Sequence, residues 1–364
     1  MKVGFDAKRI FYNKTGLGNY SRFVLAALNT FDSSVQQFLF TPKPPTDLFA
    51  LQKNMQLVMP ENGMEKALSG LWRLVGIPAQ LNELGCDVYH GLSNELPLNI
   101  SSFKGKKVVT IHDLIFLRYP HYYGRIDRWI YYKKFKLAAQ HADVVIATSK
   151  QTADDINQFL GIPSSKIKVV YQDCDVQFSK EISLSEVENT KQKYNLNVPY
   201  YLCVGTVEER KNQLNVLKAF HLSNCGMQLV FVGKPTSYLD QLTAYIQQHQ
   251  FSNHVRFIHD ASFADFPALY KGAKASVYAS RFEGFGIPVL ESLRCGTSVF
   301  AANTSSLVEV GGTLAHYFHP DDIETLSMFF NQSFLLDQNL SYREHLRQFN
   351  GSTIAEQLLE IYRN

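Results

Sequence analysis

The sequence predicts an α/β protein built from two doubly wound, parallel-sheet domains that face each other across a cleft. Three observations favour this fold class. Short β-branched runs alternate with longer amphipathic segments, the pattern expected where helices cover both faces of a parallel sheet. The alternation stops in a polar stretch at about residues 173–199 and then begins again. The length of 364 residues suits two domains.

The predicted strands are short and rich in valine, isoleucine and aromatic residues. In the first half of the chain they are 2–7, 37–41, 55–59, 88–91, 107–112, 143–148 and 167–171. In the second half they are 200–205, 228–233, 255–258, 275–279, 297–301 and 316–318. Several are nearly all apolar, as expected for strands buried on both faces.

Amphipathic spacing predicts helices between these strands, at 19–28, 128–141, 213–220 and 238–249. We place the N-terminal domain at residues 1–175 and the C-terminal domain at residues 176–351. A final helix over 352–364 is expected to pack back on the first domain. Parallel sheets bind ligands beyond the carboxyl ends of their strands, so the cleft is the expected site.

Composition excludes several classes of protein. Thirty-six basic and 33 acidic side chains leave a net charge of +3, too small to indicate nucleic-acid binding. Five scattered cysteines without a C-x-x-C pair favour reduced thiols over zinc sites or a disulfide framework. The start of the chain lacks a signal-like apolar core, and no run of 18 apolar residues occurs. We therefore expect a soluble, cytoplasmic protein.

Residues 281–296 (RFEGFGIPVLESLRCG) carry the most informative motif. Gly284 and Gly286 permit a tight turn after a strand, Pro288 suits the start of a helix, and Gly296 suits its end. Free backbone N–H groups at such a helix start attract phosphate or another anion.

Two glutamates, Glu283 and Glu291, stand beside this predicted anion site. Carboxylates beside a bound anion are electrostatically unfavourable unless hydroxyl groups donate hydrogen bonds to them, and a sugar offers such hydroxyls. The alternative is an ordinary helix start with surface glutamates, because short glycine motifs are weak evidence.

Four segments together resemble the retaining GT-B glycosyltransferases of family 4. They are residues 15–21 (TGLGNYS), 110–114 (TIHDL), 204–212 (VGTVEERKN) and the Glu283/Glu291 pair around GFGIP. The resemblance spans nearly the whole chain. It implies an acceptor-side N-terminal domain, a donor-binding C-terminal domain, and sugar transfer from a nucleotide diphosphate without a metal ion or other cofactor.

The resemblance also implies residue roles on the donor side. Glu283 would bind donor-sugar hydroxyls and Glu291 the ribose hydroxyls. Arg210 and Lys211 would neutralise the diphosphate, consistent with the forked donor of arginine and the point charge of lysine. Their alternative is a solvated helix start. The backbone around the donor would come from Gly16, Gly18, Thr206, Gly284, Phe285, Gly286 and Ile287.

In the N-terminal domain, His112 follows a buried strand and would lie under the donor sugar near the reacting carbon. It would hydrogen-bond the sugar or stabilise developing positive charge through its backbone carbonyl; the alternative is a core histidine. His90 also ends a strand, and with Asn94 and Glu95 it is a candidate for lining the acceptor side.

The sequence departs from the family pattern at two places. Many members carry arginine directly after the glycine that matches Gly205, where this chain has Thr206. The diphosphate would then depend more on Arg210 and Lys211. The N-terminal loop has Gly-Leu-Gly in place of a Gly-Gly pair.

Asp173 and Asp175 match the Asp-x-Asp shape with which other glycosyltransferases hold Mg²⁺ or Mn²⁺. The pair lies where the chain leaves the first domain. Because the resembling family has a similar aspartate there and uses no metal, we expect no metal site.

Aromatic residues, 13% of the chain, concentrate in a basic segment. Between Lys104 and Lys136 there are nine basic residues against two acidic ones, with seven aromatics between Tyr119 and Phe135. Two interpretations stay open: contact with anionic lipid at the inner face of the membrane through residues 118–136, or core packing with solvated cations.

The leading hypothesis is a retaining, metal-independent hexosyltransferase acting on a glycan or lipid-linked glycan. Residues 204–212 resemble bacterial mannosyltransferases of cell-surface polysaccharide synthesis, so GDP-mannose is the first expected donor. The alternatives are a UDP-sugar-dependent transferase, a nucleotide-sugar epimerase of the same architecture, and a non-catalytic nucleotide-sugar-binding subunit. A Rossmann dehydrogenase is disfavoured because the segment with Gly16 and Gly18 lacks the third glycine of the dinucleotide-binding motif.

Overall fold

The computed structural model of the chain describes residues 1–364 and divides into two compact units. Unit 1 comprises Met1–Asp173 and Arg347–Asn364, and unit 2 comprises Cys174–Leu346. The sequence placed the first division after residue 175 and the return to the first domain at residue 352.

Each unit contains one wholly parallel β-sheet. The strands of unit 1 are β1 (Lys2–Asp6), β2 (Gln36–Phe40), β3 (Met55–Val58), β4 (Val88–Gly91), β5 (Lys106–Ile111), β6 (Val144–Ala147) and β7 (Ile167–Val169). The strands of unit 2 are β8 (Tyr200–Val204), β9 (Gln228–Val232), β10 (Val255–Ile258), β11 (Ala275–Tyr278), β12 (Val299–Ala302) and β13 (Ala315–Phe318). The orders are β3-β2-β1-β4-β5-β6-β7 and β10-β9-β8-β11-β12-β13. Both are doubly wound, and the predicted fold class is confirmed.

Helices connect the strands in chain order. They are α1 (Lys8–Tyr12), α2 (Gly16–Phe31), α3 (Gly63–Ala67), α4 (Ser69–Leu71), α5 (Ile77–Glu83), α6 (Ile115–Arg118), α7 (Arg125–His141), α8 (Lys150–Asp155), α9 (Leu184–Lys193), α10 (Gln213–Ser223), α11 (Tyr238–Gln248), α12 (Phe266–Gly272), α13 (Ile287–Arg294), α14 (Leu307–Gly311), α15 (Ile323–Phe330), α16 (Leu340–Arg347) and α17 (Gly351–Arg363). No helix is both long enough and apolar enough to cross a bilayer.

The central strands of unit 1 are apolar because both of their faces are covered. On β5, Val108 packs into the core on one face and Val109 into the core on the other, as strand geometry requires. The first of these cores also contains Ile354 and Leu358 of α17, which packs against α2. The C-terminal helix is therefore part of the core of unit 1.

The carboxyl edge of the unit 2 sheet is shaped by glycines. Gly205 and Gly233 follow β8 and β9 with φ of 138° and 155°. A Cβ atom on Gly233 would lie 2.0 Å from the carbonyl oxygen of Gly205, so no other residue fits without a shift of the backbone. This edge positions the residues described next.

Candidate active site

A cluster of opposite charges lies at the carboxyl edge of the unit 2 sheet. The Nζ atom of Lys211 is 2.5 Å from one carboxylate oxygen of Glu283, and Arg210 is 3.1 Å from the other. Arg210 also pairs with Glu208 at 2.5 Å. The side chains of Arg210 and Lys211 are only 16% and 18% exposed, so they do not form a solvated helix start.

The ion pairs decide the charge state of Glu283. Burial alone would raise the pKa of this carboxyl, but Lys211 and Arg210 overcome that effect and lower its pKa to about 2. Glu283 is therefore ionised at any physiological pH, and it holds both cations at the end of the sheet.

Hydrogen bonds fix the loop that carries Glu283. Arg210 donates to the carbonyl oxygen of Phe282 at 2.6 Å. The backbone N–H of Glu283 donates to Ser305 Oγ at 2.9 Å, and Ser306 donates to the carbonyl of Glu283 at 2.8 Å. The carboxylate is thus set by its backbone as well as by its ion pairs.

Glu291 has the opposite environment, although it lies on the helix that follows the same loop. It is 8% exposed, and Tyr270 donates a hydrogen bond to it at 2.8 Å. Burial raises its pKa to about 7, against the lowering effect of the Tyr270 hydrogen bond. Near neutral pH this carboxyl changes its charge.

The glycine motif forms the turn that the sequence predicts. Gly286 has a φ of 106° and precedes α13, whose N-terminus has no side-chain cap. Phe285 is buried, whereas Gly284 and Ile287 are half-buried. Thr206 lies in the turn after β8, where its carbonyl accepts a hydrogen bond from Gln213 at 2.9 Å.

The second glycine pair lies at the start of α2 in unit 1. A Cβ atom on Gly18 would meet the carbonyl oxygen of Asn13 at 1.9 Å, so this glycine is required by the backbone. A Cβ atom on Gly16 would meet nothing within 4 Å. The Thr15 side chain does not cap the helix. The backbone is therefore open beside Gly16, on the side where a Cβ atom would lie.

His112 is placed at the carboxyl end of β5 by its own hydrogen bonds. Its Nε2 atom lies 2.8 Å from the carbonyl oxygen of Leu92, and its backbone N–H donates to Asn94 Oδ1 at 2.9 Å. Burial lowers its pKa to about 4, so the imidazole is neutral near pH 7. A carbonyl oxygen can only accept a hydrogen bond, so the contact with Leu92 requires the ring proton of His112 to be on Nε2. Nδ1 is then the acceptor nitrogen of the ring.

The backbone carbonyl of His112 is already hydrogen-bonded within unit 1. Its backbone carbonyl oxygen accepts hydrogen bonds from Thr148 at 3.0 Å and from Thr152 at 3.1 Å. Both lone pairs of this oxygen are therefore used inside unit 1. The imidazole ring is therefore more available for a further contact than the carbonyl oxygen.

The structure also corrects two of the three acceptor-side candidates. His90 is fully buried, with both ring nitrogens hydrogen-bonded to Tyr362 and Thr110, so it lines no binding surface. Asn94 adopts a φ of 65° and uses its amide oxygen to hold the backbone of His112. Glu95 is 21% exposed and lies 3.4 Å from Arg73.

Two family models match the chain. The Glycosyltransferase Family 4 model matches residues 21–178, and the Glycosyl transferases group 1 model matches residues 184–339. These matches cover most of both units. The chain belongs to the family 4 glycosyltransferases.

Three relatives are similar to this glycosyltransferase. O-antigen chain mannosyltransferase B of Escherichia coli is 26% identical over 388 aligned positions that cover the whole of both chains. O-antigen chain mannosyltransferase RfbU of Salmonella typhimurium is 28% identical over 216 residues, 59% of this chain and 57% of that one. Anabaena Alr3699/HepE in complex with UDP-glucose is 18% identical, with a TM-score of 0.74 over 99% of each chain. The structural likeness confirms the GT-B fold.

Sequence reasoning missed a second ion-pair network of the glycosyltransferase. Asp6, at the end of β1, pairs with Arg73, which also approaches Glu95. Asp6 had a usable signal, because it ends a central strand as His112 does. Arg73 had none: it lies 67 positions away on a π-helical turn, Trp72–Gly76.

The Asp-x-Asp segment has a structural role at one of its two aspartates. Asp175 accepts a hydrogen bond from the backbone N–H of Gln177 at 3.0 Å and caps a short 3₁₀ turn, Val176–Ser179. No cluster of three or more histidine, cysteine or acidic side chains in residues 1–364 has the arrangement of a metal site.

The basic aromatic segment divides between the two interpretations. Tyr132 and Phe135 on α7 pack against the core of unit 1. Ile126 and Trp129 are 75% and 62% exposed on the same helix. The exposed side of α7 also carries basic residues, Arg125, Lys133 and Lys134.

Proposed function

We propose that this glycosyltransferase is a retaining enzyme that transfers mannose from GDP-mannose to a glycan or lipid-linked glycan, without a metal ion. The observation that carries the proposal is the half-buried cluster in which Glu283 holds Arg210 and Lys211 at one sheet edge. A nucleotide diphosphate sugar offers complementary chemistry, since it has hydroxyls for the carboxylate and phosphates for the cations.

Charge supports the assignment of the diphosphate to Arg210 and Lys211. In the ligand-free cluster these cations are balanced by Glu208 and Glu283. A bound diphosphate adds negative charge beside them, and more develops on the leaving oxygen in the transition state. Cations held in place beforehand stabilise that charge without reorganisation. Arg210 and Lys211 supply the positive charge that a divalent ion supplies in metal-dependent glycosyltransferases, which favours a reaction without a metal ion.

The proposed reaction proceeds on one face of the sugar. The bond between the anomeric carbon and the diphosphate oxygen breaks, and its electron pair stays on the diphosphate. The acceptor hydroxyl oxygen bonds to the same face of the carbon and passes its proton to the leaving oxygen. In this scheme His112 is not the general base, because a pKa of about 4 makes its imidazole a poor base. Its neutral ring instead contacts the sugar.

The donor assignment rests on the mannosyltransferase relatives, one of which aligns over the whole chain. The test is a panel of GDP- and UDP-sugars assayed for hydrolysis and for thermal stabilisation, with and without EDTA. We expect GDP-mannose to raise Tm and to be hydrolysed equally in EDTA. Turnover of UDP-sugars alone would move the donor assignment to the UDP alternative, and activity restored only by Mn²⁺ would overturn metal independence.

Stereochemistry needs a separate measurement. GDP-mannose carries an α-linked sugar, so a retaining enzyme releases α-mannose before the anomers equilibrate. Proton NMR during the first minutes of hydrolysis distinguishes the anomers. Initial release of β-mannose would contradict the retaining mechanism.

We also propose that α7 brings the enzyme to anionic membrane surfaces. Its exposed Ile126 and Trp129 suit the lipid interface, and Arg125, Lys133 and Lys134 suit anionic headgroups. Vesicle flotation with phosphatidylglycerol tests this, before and after replacement of Arg125, Arg128, Lys133 and Lys134 by glutamine. Equal flotation of both proteins, or none of the wild type, would contradict the proposal.

A further inference from the structure

A continuous chain of hydrogen bonds crosses the core of unit 1. The hydroxyl of Tyr362 on α17 lies 2.6 Å from Nδ1 of His90. Nε2 of His90 lies 2.8 Å from Oγ1 of Thr110, and that oxygen lies 3.0 Å from the hydroxyl of Tyr20 on α2. The chain joins two helices through the two central strands β4 and β5.

Every member of the chain is buried. His90 and Thr110 are fully buried, and Tyr20 and Tyr362 are 3% and 4% exposed. Tyr20 and Tyr362 belong to an apolar core whose other members are mostly valine, leucine, isoleucine and alanine side chains. A buried polar network of this kind is costly when any member loses its partner, so it specifies one arrangement of the groups at its ends.

One end of the chain lies against His112. The ring of Tyr20 meets the ring of His112 edge-on, with centroids 4.6 Å apart and an interplanar angle of 89°. Such a T-shaped contact restricts the tilt of both rings. Tyr20 also lies on α2, one helical turn after Gly16. The hydrogen-bond chain therefore reaches both parts of unit 1 that are expected near the donor, His112 and the start of α2.

We propose that Tyr362, His90 and Thr110 are positioning residues that orient Tyr20 and, through its ring, the imidazole of His112. This inference rests on the proposed contact of His112 with the donor sugar. It makes the C-terminal helix a contributor to turnover through Tyr362, which is buried in the core of unit 1.

Proton counting explains why the chain acts as a unit. A neutral His90 carries one ring proton, so one ring nitrogen donates and the other accepts. If Tyr362 donates to Nδ1, His90 donates to Thr110. If His90 donates to Tyr362 instead, Thr110 donates to His90 and Tyr20 donates to Thr110. Loss of the Tyr362 hydroxyl leaves the buried Nδ1 of His90 without its partner whichever direction the bonds take, so His90 and the bonds beyond it are free to rearrange.

The first test compares Tyr362→Phe and Thr110→Val with Ile354→Val. Both test variants keep the shape of the side chain and remove the hydroxyl. The control residue, Ile354, lies on α17 in the same core and is not a member of the hydrogen-bond chain. Its substitution removes one methylene group and no hydrogen bond. We expect the test variants to lower kcat by about 5- to 10-fold, with KM for GDP-mannose changed less than about 2-fold. Ile354→Val should change Tm by a similar amount and leave kcat unchanged.

The second test is spectroscopic, so that a loss of stability alone cannot imitate it. In protein labelled with ¹⁵N at histidine, His112 should show the Nε2–H tautomer. Tyr362→Phe should shift or broaden these His112 signals, whereas Ile354→Val should not. Test variants that lower Tm but preserve kcat and the His112 signals would overturn the inference.

A third arm separates this inference from the proposed role of His112. If His112→Ala retains full turnover, the role of His112 is wrong and the positioning inference falls with it. If His112→Ala loses turnover while Tyr362→Phe and Thr110→Val keep it, only the positioning inference is wrong. If the inference holds, the effects of Tyr362→Phe and Tyr20→Phe on kcat should be less than additive, as expected within one network.

Discussion

The carboxyl edges of the two sheets share a topology but not a chemistry. In unit 2 the edge is ionic: Glu283 is held charged by Lys211 and Arg210. In unit 1 the residue at the end of β5 is neutral His112, fixed by its own backbone and by the Leu92 carbonyl. The doubly wound sheet thus sets where a ligand binds, and the local residues decide what it meets there.

This difference separates two tasks that one reaction needs. The ionic edge suits a group whose charge grows during the reaction, such as a leaving diphosphate. The neutral edge suits orientation of a sugar, because an imidazole with a pKa of about 4 does not change its charge near pH 7. If the comparison holds, changes at the two edges should affect different kinetic constants.

The largest effect is expected for Lys211→Ala. It removes a half-buried cation from the proposed diphosphate site and leaves Glu283 with Arg210 alone. We expect kcat/KM for GDP-mannose to fall by about 10²- to 10³-fold. Lys274→Ala, an exposed lysine of the same unit, is the control and should be neutral. An unchanged kcat/KM for Lys211→Ala would contradict the assignment of the diphosphate to the ionic edge of unit 2.

The next effect is expected for His112→Ala. Loss of the oriented ring should lower kcat by about 10- to 100-fold, because the sugar is then held in less productive geometries. Steady-state kinetics with GDP-mannose should show this loss in kcat, with little change in KM. A loss confined to KM would make His112 a binding residue and weaken the contrast between the edges.

A smaller effect is expected from the charge of Glu291. Its pKa of about 7 means that the carboxylate forms as pH rises through neutrality, and the carboxylate is a stronger acceptor than the neutral acid for the ribose hydroxyls that Glu291 is expected to bind. KM for the donor should therefore fall by about 10-fold between pH 6 and pH 8. In Glu291→Gln the donor KM should be independent of pH over this range. A pH step that survives in Glu291→Gln would assign the titration to another group.

The smallest effect is expected for Tyr270→Phe. The Tyr270 hydroxyl donates to Glu291 and lowers the pKa of that carboxyl against the effect of burial. Without it, the midpoint of the donor-KM step should move upward by about half a pH unit. The same pH titration of KM measures this change. A downward shift of the midpoint would contradict the account of the Glu291 environment.

Much of the fold could be predicted because parallel strands buried on both faces are visible as short apolar runs. All thirteen predicted strands occur, with ends within two residues of the predicted ones. The observed strand is shorter than the predicted one where the last residues of an apolar run no longer pair with the neighbouring strand, as after Val169 in β7. Strand ends then indicated His112 and Asp6 in the same way, although only His112 was recognised.

The partners of the site residues could not be predicted in the same way. His90 is a core residue because Tyr362, 272 positions later, returns to it on α17. Lys211 meets Glu283 across 72 positions. Such pairings depend on which elements the tertiary fold brings together, and no local pattern in a single sequence contains that information.

The most direct test of the account is a calorimetric titration of GDP-mannose into the wild type, Lys211→Ala and His112→Ala, with turnover measured on the same samples. We expect Lys211→Ala to bind GDP-mannose about 10-fold or more weakly, while His112→Ala binds within about 2-fold of the wild type and turns over slowly. Wild-type affinity in Lys211→Ala, or equal losses of affinity in the two variants, would contradict it.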